Sequence, residues 1–250
     1  MRILVCNDDG IAAHGLRVLA DAARTLTPDV WIVAPERKWT AASHQLSLDK
    51  VLTLRRADER EYACSGAPAD CVVAAMSVLF ESEAKPDLVL AGLNDKVNVG
   101  EDLAYSGTMA IAREATFWRV PAIAVSRDDV GDHAPSETDA IARVLRVLWE
   151  GRAQWSGPGE WLALNLPARL PAPLVPARTG RDKIGGACEI LESNPDRTTF
   201  RIVRGRPETS ADGDERAVIM VGGMALVRHR WFADEPIDAA SVAAWNRALR

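Results

Sequence analysis

Two adjacent carboxylates near the start of the chain are the first residues that could do chemistry. Asp8 and Asp9 follow the short apolar run Arg2 to Cys6, and Gly10 then permits a turn. If the run is a strand of a parallel sheet, its carboxyl end opens onto the crevice where open α/β sheets hold ligands. Two anionic oxygen donors in such a crevice suit a divalent cation of the magnesium or manganese type. The same residues also fit a solvated turn into a helix.

A second polar stretch follows another apolar run and has the composition of an anion site. Leu88 to Gly92 reads as a buried parallel strand, and Asn94 in the loop after it offers a neutral oxygen. The next helix opens on three residues whose backbone N–H groups and hydroxyls can hold a phosphate: Ser106, Gly107 and Thr108. A plain helix cap by one of these hydroxyls is the alternative.

Strand and helix patterns alternate between these two stretches, which indicates a doubly wound sheet. His14 to Leu26 has apolar residues at helical spacing, and Val30 to Ala34 reads as the next buried strand. The polar segment Glu36 to Ser47 is then a loop that leaves the sheet at the same edge as Asp8. The hydroxyl of Thr40 is therefore expected near the carboxylates.

The later part of the chain continues this pattern and then changes. A proline-rich segment, Pro167 to Pro176, marks a junction, so we divide the chain into a catalytic portion, residues 1–167, and a smaller β-rich extension, residues 168–250. The extension is predicted to contain three β-like segments and a closing helix: Cys188 to Glu192, Thr198 to Val203, Ala217 to Arg228 and Asp238 to Leu249. The predicted fold class is α/β, with a doubly wound, mostly parallel sheet.

Composition and charge exclude several classes of protein. The 250 residues are 48% hydrophobic and 26% charged, which is ordinary for a globular chain. The net charge of -5 gives no electrostatic footprint for a nucleic-acid polymer, and no apolar run approaches the length of a membrane span. Nothing after Met1 resembles a signal peptide, so the expected compartment is the cytoplasm. The four cysteines form no Cys-x-x-Cys pair and are expected as buried free thiols.

Five stretches together resemble the survival protein E (SurE) family of metal-dependent nucleotide phosphatases. They occur in the order expected for that family and span about two thirds of the chain. The matching stretches are RILVCNDDGIAAHGL at Arg2 to Leu16, VAPERKWTAASH at Val33 to His44, SGAPADCV at Ser65 to Val72, GLNDKVNVGEDLAYSGTMAIAREA at Gly92 to Ala115 and LNLP at Leu164 to Pro167.

The resemblance implies a Rossmann-like catalytic portion and hydrolysis of phosphate from nucleoside 5′- or 3′-monophosphates. It also implies one Mg²⁺ or Mn²⁺ per subunit, and a homodimer or homotetramer formed through the C-terminal β-rich portion. The metal ligands of the family fall on Asp8, Asp9, Thr40 and Asn94. Its phosphate contacts fall on Asn94, Ser106, Gly107 and Thr108. Of the two aspartates, both candidates for catalysis, Asp8 is our preferred group for orienting or deprotonating the attacking water.

The chain departs from the family pattern at several positions. Thr40 stands where the family usually has serine, and it keeps the hydroxyl oxygen. The family loop reads N-x-G-x-N-x-G, whereas here Asp95 is followed by Lys96 in place of the first glycine. Lys96 could add a cation near the phosphate. The segment Val218 to Arg228 matches the late strand of the family poorly.

Three other interpretations remain open from the residues alone. A phospho-accepting receiver domain also has adjacent acids after its first strand, but its acceptor aspartate would stand near Ala91. A haloacid-dehalogenase-type phosphatase needs a second acid two residues after the first, whereas Asp8 and Asp9 are adjacent. A catalytically inactive member of the SurE family would be consistent with the Asp95-Lys96 departure.

Overall fold

An open, mostly parallel sheet of nine strands forms the centre of the molecule. The computed structural model describes residues 1–127, 135–181, 185–204, 210–231 and 237–248. In chain order the strands are β1 (Ile3–Cys6), β2 (Val30–Pro35), β3 (Leu54–Asp58), β4 (Glu61–Cys64), β5 (Leu88–Asn94), β6 (Ala122–Arg127), β7 (Glu160–Leu166), β8 (Leu174–Pro176), β9 (Gly185–Ser193), β10 (Thr198–Arg204) and β11 (Met224–Arg230). The large sheet has the order β3-β4-β2-β1-β5-β6-β7-β11-β8, and β9 and β10 form a separate antiparallel pair.

The strand β1 lies where the order of the sheet reverses. It pairs in parallel with β2 on one side and with β5 on the other. The chain therefore moves outward from β1 in one direction, returns, and continues in the other direction through β5, β6 and β7. Ligands of open α/β sheets bind at such a switch point, beyond the carboxyl ends of the strands. The predicted α/β, mostly parallel fold is confirmed.

Two pairs of helices cover the two faces of this sheet. The helices of the described residues are α1 (His14–Arg24), α2 (Pro68–Ala74, continued by a π-helical segment Ala75–Leu79), α3 (Asp102–Tyr105), α4 (Gly107–Phe117), α5 (Pro135–Glu150), α6 (Glu215–Met220) and α7 (Ala239–Ala248). One layer contains α1 and α5, and the opposite layer contains α2 and α4. In the ranges described above, none of the helices combines the length and apolar character that crossing a bilayer requires.

Alternation along β1 explains how one short strand supports both layers. Ile3 and Val5 belong to the core under α1 and α5, whereas Leu4 and Cys6 belong to the core under α2 and α4. All four side chains are fully buried. Full burial of an aliphatic side chain contributes about 1.5–3 kcal/mol to the stability of the fold, so this strand is held firmly in the sheet. The residues that directly follow it are therefore held in place as well.

The C-terminal portion differs from the prediction in two elements: β8 lies within the segment Pro167 to Pro176, which was predicted only as a junction, and a helix replaces part of a predicted strand. The segment Ala217 to Arg228 was expected to be a strand, but its first part lies in α6 and only its second part lies in β11. The helix buries Val218 and Ile219 against Ala225 of β11, so tertiary packing overrides their β-propensity. Strands β8 and β11 join the same sheet as residues 1–167. The predicted closing helix is present as α7, and Leu249 lies outside the described residues.

The cysteines are free thiols, as expected, but they are not all buried. Cys6, Cys64 and Cys71 lie in the core, whereas Cys188 is exposed on β9. The expectation of burial is therefore wrong for Cys188, because it belongs to the separate two-stranded sheet and not to the core of the large one.

Candidate active site

Loops at the carboxyl ends of β1, β2 and β5 enclose a cavity of about 480 Å³. Six of the eight residues singled out from the sequence line it: Asp8, Asp9, Thr40, Asn94, Lys96 and Ser106. The other two, Gly107 and Thr108, lie directly behind Asp8 in the first turn of α4. The structure therefore brings the two polar stretches of the sequence together at one site.

A small hydrogen-bonded turn projects the two carboxylates from β1. The side chain of Asn7 donates to the carbonyl of Gly10 at 3.0 Å, and the Gly10 amide donates back to Asn7 Oδ1 at 3.2 Å. Gly10 adopts φ of +102°, a conformation that other residues rarely take. Asn7 was not among the predicted site residues, although its position before two aspartates and a glycine is typical of such a turn.

Asp8 is buried and its carboxylate has a fixed partner. The hydroxyl of Thr108 donates a hydrogen bond of 2.6 Å to Asp8 Oδ1. Burial raises the pKa of Asp8 to about 6, and the neighbouring Asp9 raises it further, while the hydrogen bond from Thr108 and the charge of Lys38 oppose this rise. Asp8 is therefore a carboxylate held in one orientation and tuned towards neutral pH.

The first turn of α4 approaches Asp8 closely because residue 107 is glycine. A Cβ atom at Gly107 would lie 2.7 Å from Asp8 Cβ and 2.9 Å from Asp8 Oδ2. Ser106 caps the helix, because its hydroxyl oxygen accepts from the Met109 amide at 3.1 Å. The side chain of Ser106 is therefore a helix cap, which was the alternative to a direct phosphate contact. The first backbone N–H groups of a helix have no partner within it and favour negative charge in front of them.

The loop that carries Thr40 is anchored on both sides of that residue. The Trp39 amide donates to the carbonyl of Asp8 at 2.7 Å, and the Ser43 hydroxyl donates to the carbonyl of Ala104 at 2.7 Å. These contacts tie the loop after β2 to the end of β1 and to α3. Thr40 itself is exposed at the cavity wall, so its hydroxyl oxygen is accessible to a ligand.

Asn94 ends β5 and begins the loop that contains the departures from the family pattern. Its side-chain nitrogen, Nδ2, donates a hydrogen bond of 2.5 Å to the backbone carbonyl of Lys96. The side-chain oxygen, Oδ1, is therefore the atom suited to a cation. Lys96 is exposed and lines the cavity, so its side chain is not part of the buried core. The lysine at the usual glycine position is thus compatible with a closed loop.

Buried polar side chains from the later strands hold the rest of this loop. The backbone N–H of Asn98 donates to Asn165 Oδ1 at 2.9 Å, and Asn165 Nδ2 donates to the backbone carbonyl of Asn98 at 3.0 Å. Asn98 Nδ2 also donates to the Ser126 hydroxyl at 2.8 Å. These supporting residues were not predicted from the sequence, although Asn165 lies within the LNLP stretch that resembles the family.

Hydrogen bonds to Glu215 connect the loop after β5 to the C-terminal portion. Its carboxylate accepts from the Gly100 amide at 3.0 Å and from the Gly180 amide at 2.7 Å. Burial raises the pKa of Glu215, while the hydrogen bonds from these two amides oppose the rise. The next residue, Arg216, lines the cavity together with Ile202 of β10. The C-terminal portion therefore contributes to the wall of the site.

Lys38 is a cation inside the site that sequence analysis did not single out. Its Nζ lies 2.5 Å from Asp9 Oδ1 and 3.1 Å from Asp95 Oδ2. Burial lowers the pKa of Lys38, but its hydrogen bonds to Asp9 and Asp95 outweigh this effect and raise it. Lys38 lies two residues before Thr40, in a segment read only as a polar loop, so the sequence alone gave no reason to separate it from other surface lysines.

The donor set at the cavity fits a hard divalent cation. Two carboxylates, one hydroxyl and one amide carbonyl supply only oxygen atoms: those of Asp8, Asp9, Thr40 and Asn94. Mg²⁺ and Mn²⁺ prefer such ligands. Within the described ranges, no group of three or more His, Cys, Asp or Glu side chains comes together as metal ligands. A cation at this site would depend on the neutral oxygens of Thr40 and Asn94 as well as on the acids.

Comparisons with known proteins match the chain over most of its length. The family model described as survival protein SurE matches residues 3–184. The protein "5′-nucleotidase SurE" of Paramagnetospirillum magneticum is 38% identical over 207 residues, which cover 79% of this chain and 76% of that protein. The protein of the same description from Brucella canis is 37% identical over 233 residues, which cover 87% of this chain and 88% of that protein. The crystal structure of the SurE protein from Aquifex aeolicus has a TM-score of 0.79 at 25% identity and covers 100% of this chain and 99% of that one.

Proposed function

This chain belongs to the survival protein SurE family, and we propose that it is a metal-dependent phosphatase that hydrolyses nucleoside 5′- or 3′-monophosphates to nucleoside and phosphate. The observation that carries the proposal is the shared cavity at the switch point of the sheet. Oxygen-bearing side chains from the ends of three strands line it together: Asp8, Asp9, Thr40 and Asn94. Relatives named as 5′-nucleotidases support the substrate class.

One divalent ion per subunit, Mg²⁺ or Mn²⁺, would be held by these four side chains. When bound, such an ion offsets the charge of a phosphoryl oxygen and lowers the pKa of a water molecule towards neutrality. The structural support is the chemistry of the donors, because two carboxylates would neutralise a divalent charge in a largely buried setting.

The phosphate of the substrate would lie at the first turn of α4. Backbone N–H groups of Gly107 and Thr108 start this helix, and the positive end of its dipole favours the charge that develops during phosphoryl transfer. Lys96 lines the same cavity and adds a positive charge. The hydroxyls of Ser106 and Thr108 already have protein partners, so their contribution to phosphate binding would be mainly through the backbone.

Asp8 is our candidate for orienting the attacking water and accepting its proton. Its carboxylate is buried and fixed by the hydrogen bond from Thr108, so its position relative to the helix N-terminus is well defined. Asp9 is instead paired with Lys38 and serves as a ligand. Positioning of the water and of the phosphoryl group is the main task of an enzyme for this reaction.

The two alternatives from other protein classes have no support in the fold. A receiver domain would need a phosphorylatable aspartate near Ala91, but Ala91 lies buried within β5. A haloacid-dehalogenase-type enzyme would form an aspartyl-phosphate. The comparisons match the SurE family and relatives named as nucleotidases instead.

The hairpin β9–β10 would form the contact between subunits in a homodimer or homotetramer. Phe200 is paired with Ile190 and Ile202 with Cys188, so one face of the hairpin is apolar. Phe200, Ile190 and Ile202 are 55%, 66% and 65% exposed. Exposed apolar faces of this kind favour association. Light scattering of Phe200→Glu tests this, since a smaller particle than the wild type is expected and an unchanged mass would contradict it.

The remaining expectations concern partners and compartment. We expect neither a nucleic-acid polymer nor a membrane as partner, because the net charge is -5 and the cavity combines acids with cations. The buried free thiols of Cys6, Cys64 and Cys71 favour a reducing compartment such as the cytoplasm.

Phosphate release from a panel of nucleoside monophosphates tests the proposed function. The purified protein is treated with EDTA and assayed with 5′- and 3′-monophosphates, with and without added Mg²⁺ or Mn²⁺. We expect release only when metal is restored, and we expect Asp9→Asn to abolish it. Release that is insensitive to EDTA, or a trapped aspartyl-phosphate, would contradict the proposal.

A further inference from the structure

The ammonium group of Lys38 lies in contact with Asp9, one of the four proposed metal ligands. Its Nζ is 2.5 Å from Asp9 Oδ1, in direct ion-pair contact. The Asp9 side chain is only 10% exposed and that of Lys38 is 51% exposed, so the contact is shielded from water on the Asp9 side. A second carboxylate, Asp95, lies 3.1 Å from the same nitrogen on its more exposed side, with 63% of its side chain accessible.

An ammonium group and a divalent cation compete for one carboxylate. Their charges repel strongly at contact distance in a shielded site. Lys38 has a flexible stem of four carbons, and Asp95 gives it an anionic partner away from Asp9. Lys38 can therefore leave Asp9 without losing every countercharge.

The charges around the cavity indicate what the ammonium group can contact once a metal is bound. The side chains that line the cavity carry four negative and three positive charges: those of Asp8, Asp9, Asp95 and Asp102, and those of Lys38, Lys96 and Arg216. A divalent ion would offset the charges of Asp8 and Asp9, and a phosphate monoester dianion would then bring two more negative charges into the same cavity. Lys38 is the cation of this set that lies in contact with Asp9, so it is the one that a metal at Asp9 would displace towards the phosphate.

We propose that Lys38 is a substrate-binding residue that neutralises Asp9 before a divalent cation binds and that contacts the phosphate of the nucleotide afterwards. This inference rests on the proposed function, because it requires both a metal at Asp9 and a phosphate in the cavity. Lys38 would therefore oppose metal binding and favour phosphate binding, two effects of opposite sign on one side chain.

The variant Lys38→Met separates these two effects. Titration calorimetry with Mn²⁺ alone measures metal affinity, and titration of the Mg²⁺-saturated protein with inorganic phosphate measures anion affinity. We expect Lys38→Met to bind Mn²⁺ at least about fivefold more tightly and phosphate at least about fivefold more weakly. Lys38→Arg, which keeps the charge, is expected to remain close to the wild type in both titrations.

Lys50→Met is the matched control, because Lys50 is exposed in the same loop but does not line the cavity. It should leave both affinities unchanged. If Lys38→Met binds Mn²⁺ with unchanged or weaker affinity while the wild type binds it, the inference is wrong and the proposed function survives. A variant that weakens both ligands would show a structural role and also overturn the inference. If the wild type binds no Mn²⁺, the metal-dependent function fails as well.

Discussion

The hydroxyl of Thr108 donates a hydrogen bond of 2.6 Å to Oδ1 of Asp8, which joins the first turn of α4 to the end of β1. The two residues are 100 positions apart in the sequence, and both are buried. The carboxylate thus faces a helix N-terminus and a hydroxyl donor, in surroundings that exclude most water. The hydrogen bond orients the Asp8 carboxylate and lowers its pKa, against the larger rise that burial causes.

Replacing Thr108 with valine should raise the pKa of Asp8 in the metal-free protein. Burial raises the pKa of Asp8 to about 6, and the hydrogen bond from Thr108 partly opposes that rise. Without the hydroxyl this opposing effect is lost, because a hydrogen bond to a charged group favours the charged form. NMR titration of the Asp8 carboxyl in EDTA-treated protein measures the change. Thr108→Ser is the control, and an unchanged titration of Asp8 in Thr108→Val would contradict the role of the hydrogen bond.

Gly107→Ala should damage the site without unfolding the protein. The added methyl group would meet Asp8 Cβ at 2.7 Å, so either the aspartate or the helix must move. Because displacements of this size disturb catalytic geometry strongly, we expect kcat/KM to fall by at least about tenfold. Gly151→Ala is a matched control, as its nearest neighbour would be the Val147 carbonyl at 3.4 Å. Equal activity of the two variants would show that the close approach is unimportant.

The central parallel strands of the sheet were predictable because each is a continuous apolar run with a polar break after it. Val30 to Ala34 was expected and Val30–Pro35 is observed, and Leu88 to Gly92 was expected and Leu88–Asn94 is observed. Buried central strands give this signal since both faces need apolar side chains. The helix α6 was missed, because Val218 and Ile219 favour strands and only their packing against Ala225 selects the helix.

For the site, the sequence predicted the residues that supply oxygen ligands but not the charged residues that contact or support them. Asp8, Asp9 and Asn94 stand at strand ends, and the topology of a parallel sheet brings such positions together. The roles of Lys38 and Glu215 depend instead on contacts between distant segments, such as the 115 positions that separate Glu215 from Gly100. Nothing in their local sequence distinguishes them from surface charges.

Glu215→Ala should destabilise the protein and weaken substrate binding. The Gly100 and Gly180 amides would lose their acceptor in a buried setting, at a cost of about 2–5 kcal/mol in unfolding free energy. The loop with Asn94 and Lys96 would also lose its anchor, so KM should rise. Urea denaturation and steady-state kinetics measure the two effects. Glu189→Ala, which removes an exposed ion pair with Arg201, should change neither.

His229 should make the protein less stable in mild acid. Burial lowers its pKa to about 4, and the charge of Arg113 adds to this effect. An unfolded chain binds the proton near pH 6.5, whereas the folded chain binds it only near pH 4, so stability is lost as the pH falls between these values. At pH 5 the loss from this group is about 2 kcal/mol relative to pH 7.5.

Denaturation of the wild type and of His229→Phe at both pH values measures this contribution. Phenylalanine preserves a ring that can stack on Trp161, where the ring centroids are 5.3 Å apart. Asp8 and Glu215 have raised pKa values and act in the opposite direction, so the comparison is between the two proteins at each pH. A variant with the same pH dependence as the wild type would show that His229 does not contribute.

Anomalous diffraction from crystals grown with Mn²⁺ tests most directly whether the four donors hold one cation. A single strong peak is expected in direct contact with oxygen atoms from each of them: Asp8, Asp9, Thr40 and Asn94. Lys38 should then no longer contact Asp9. A cavity without a peak, or a peak away from Thr40 and Asn94 with their oxygens turned aside, would contradict a metal-dependent phosphatase at this site.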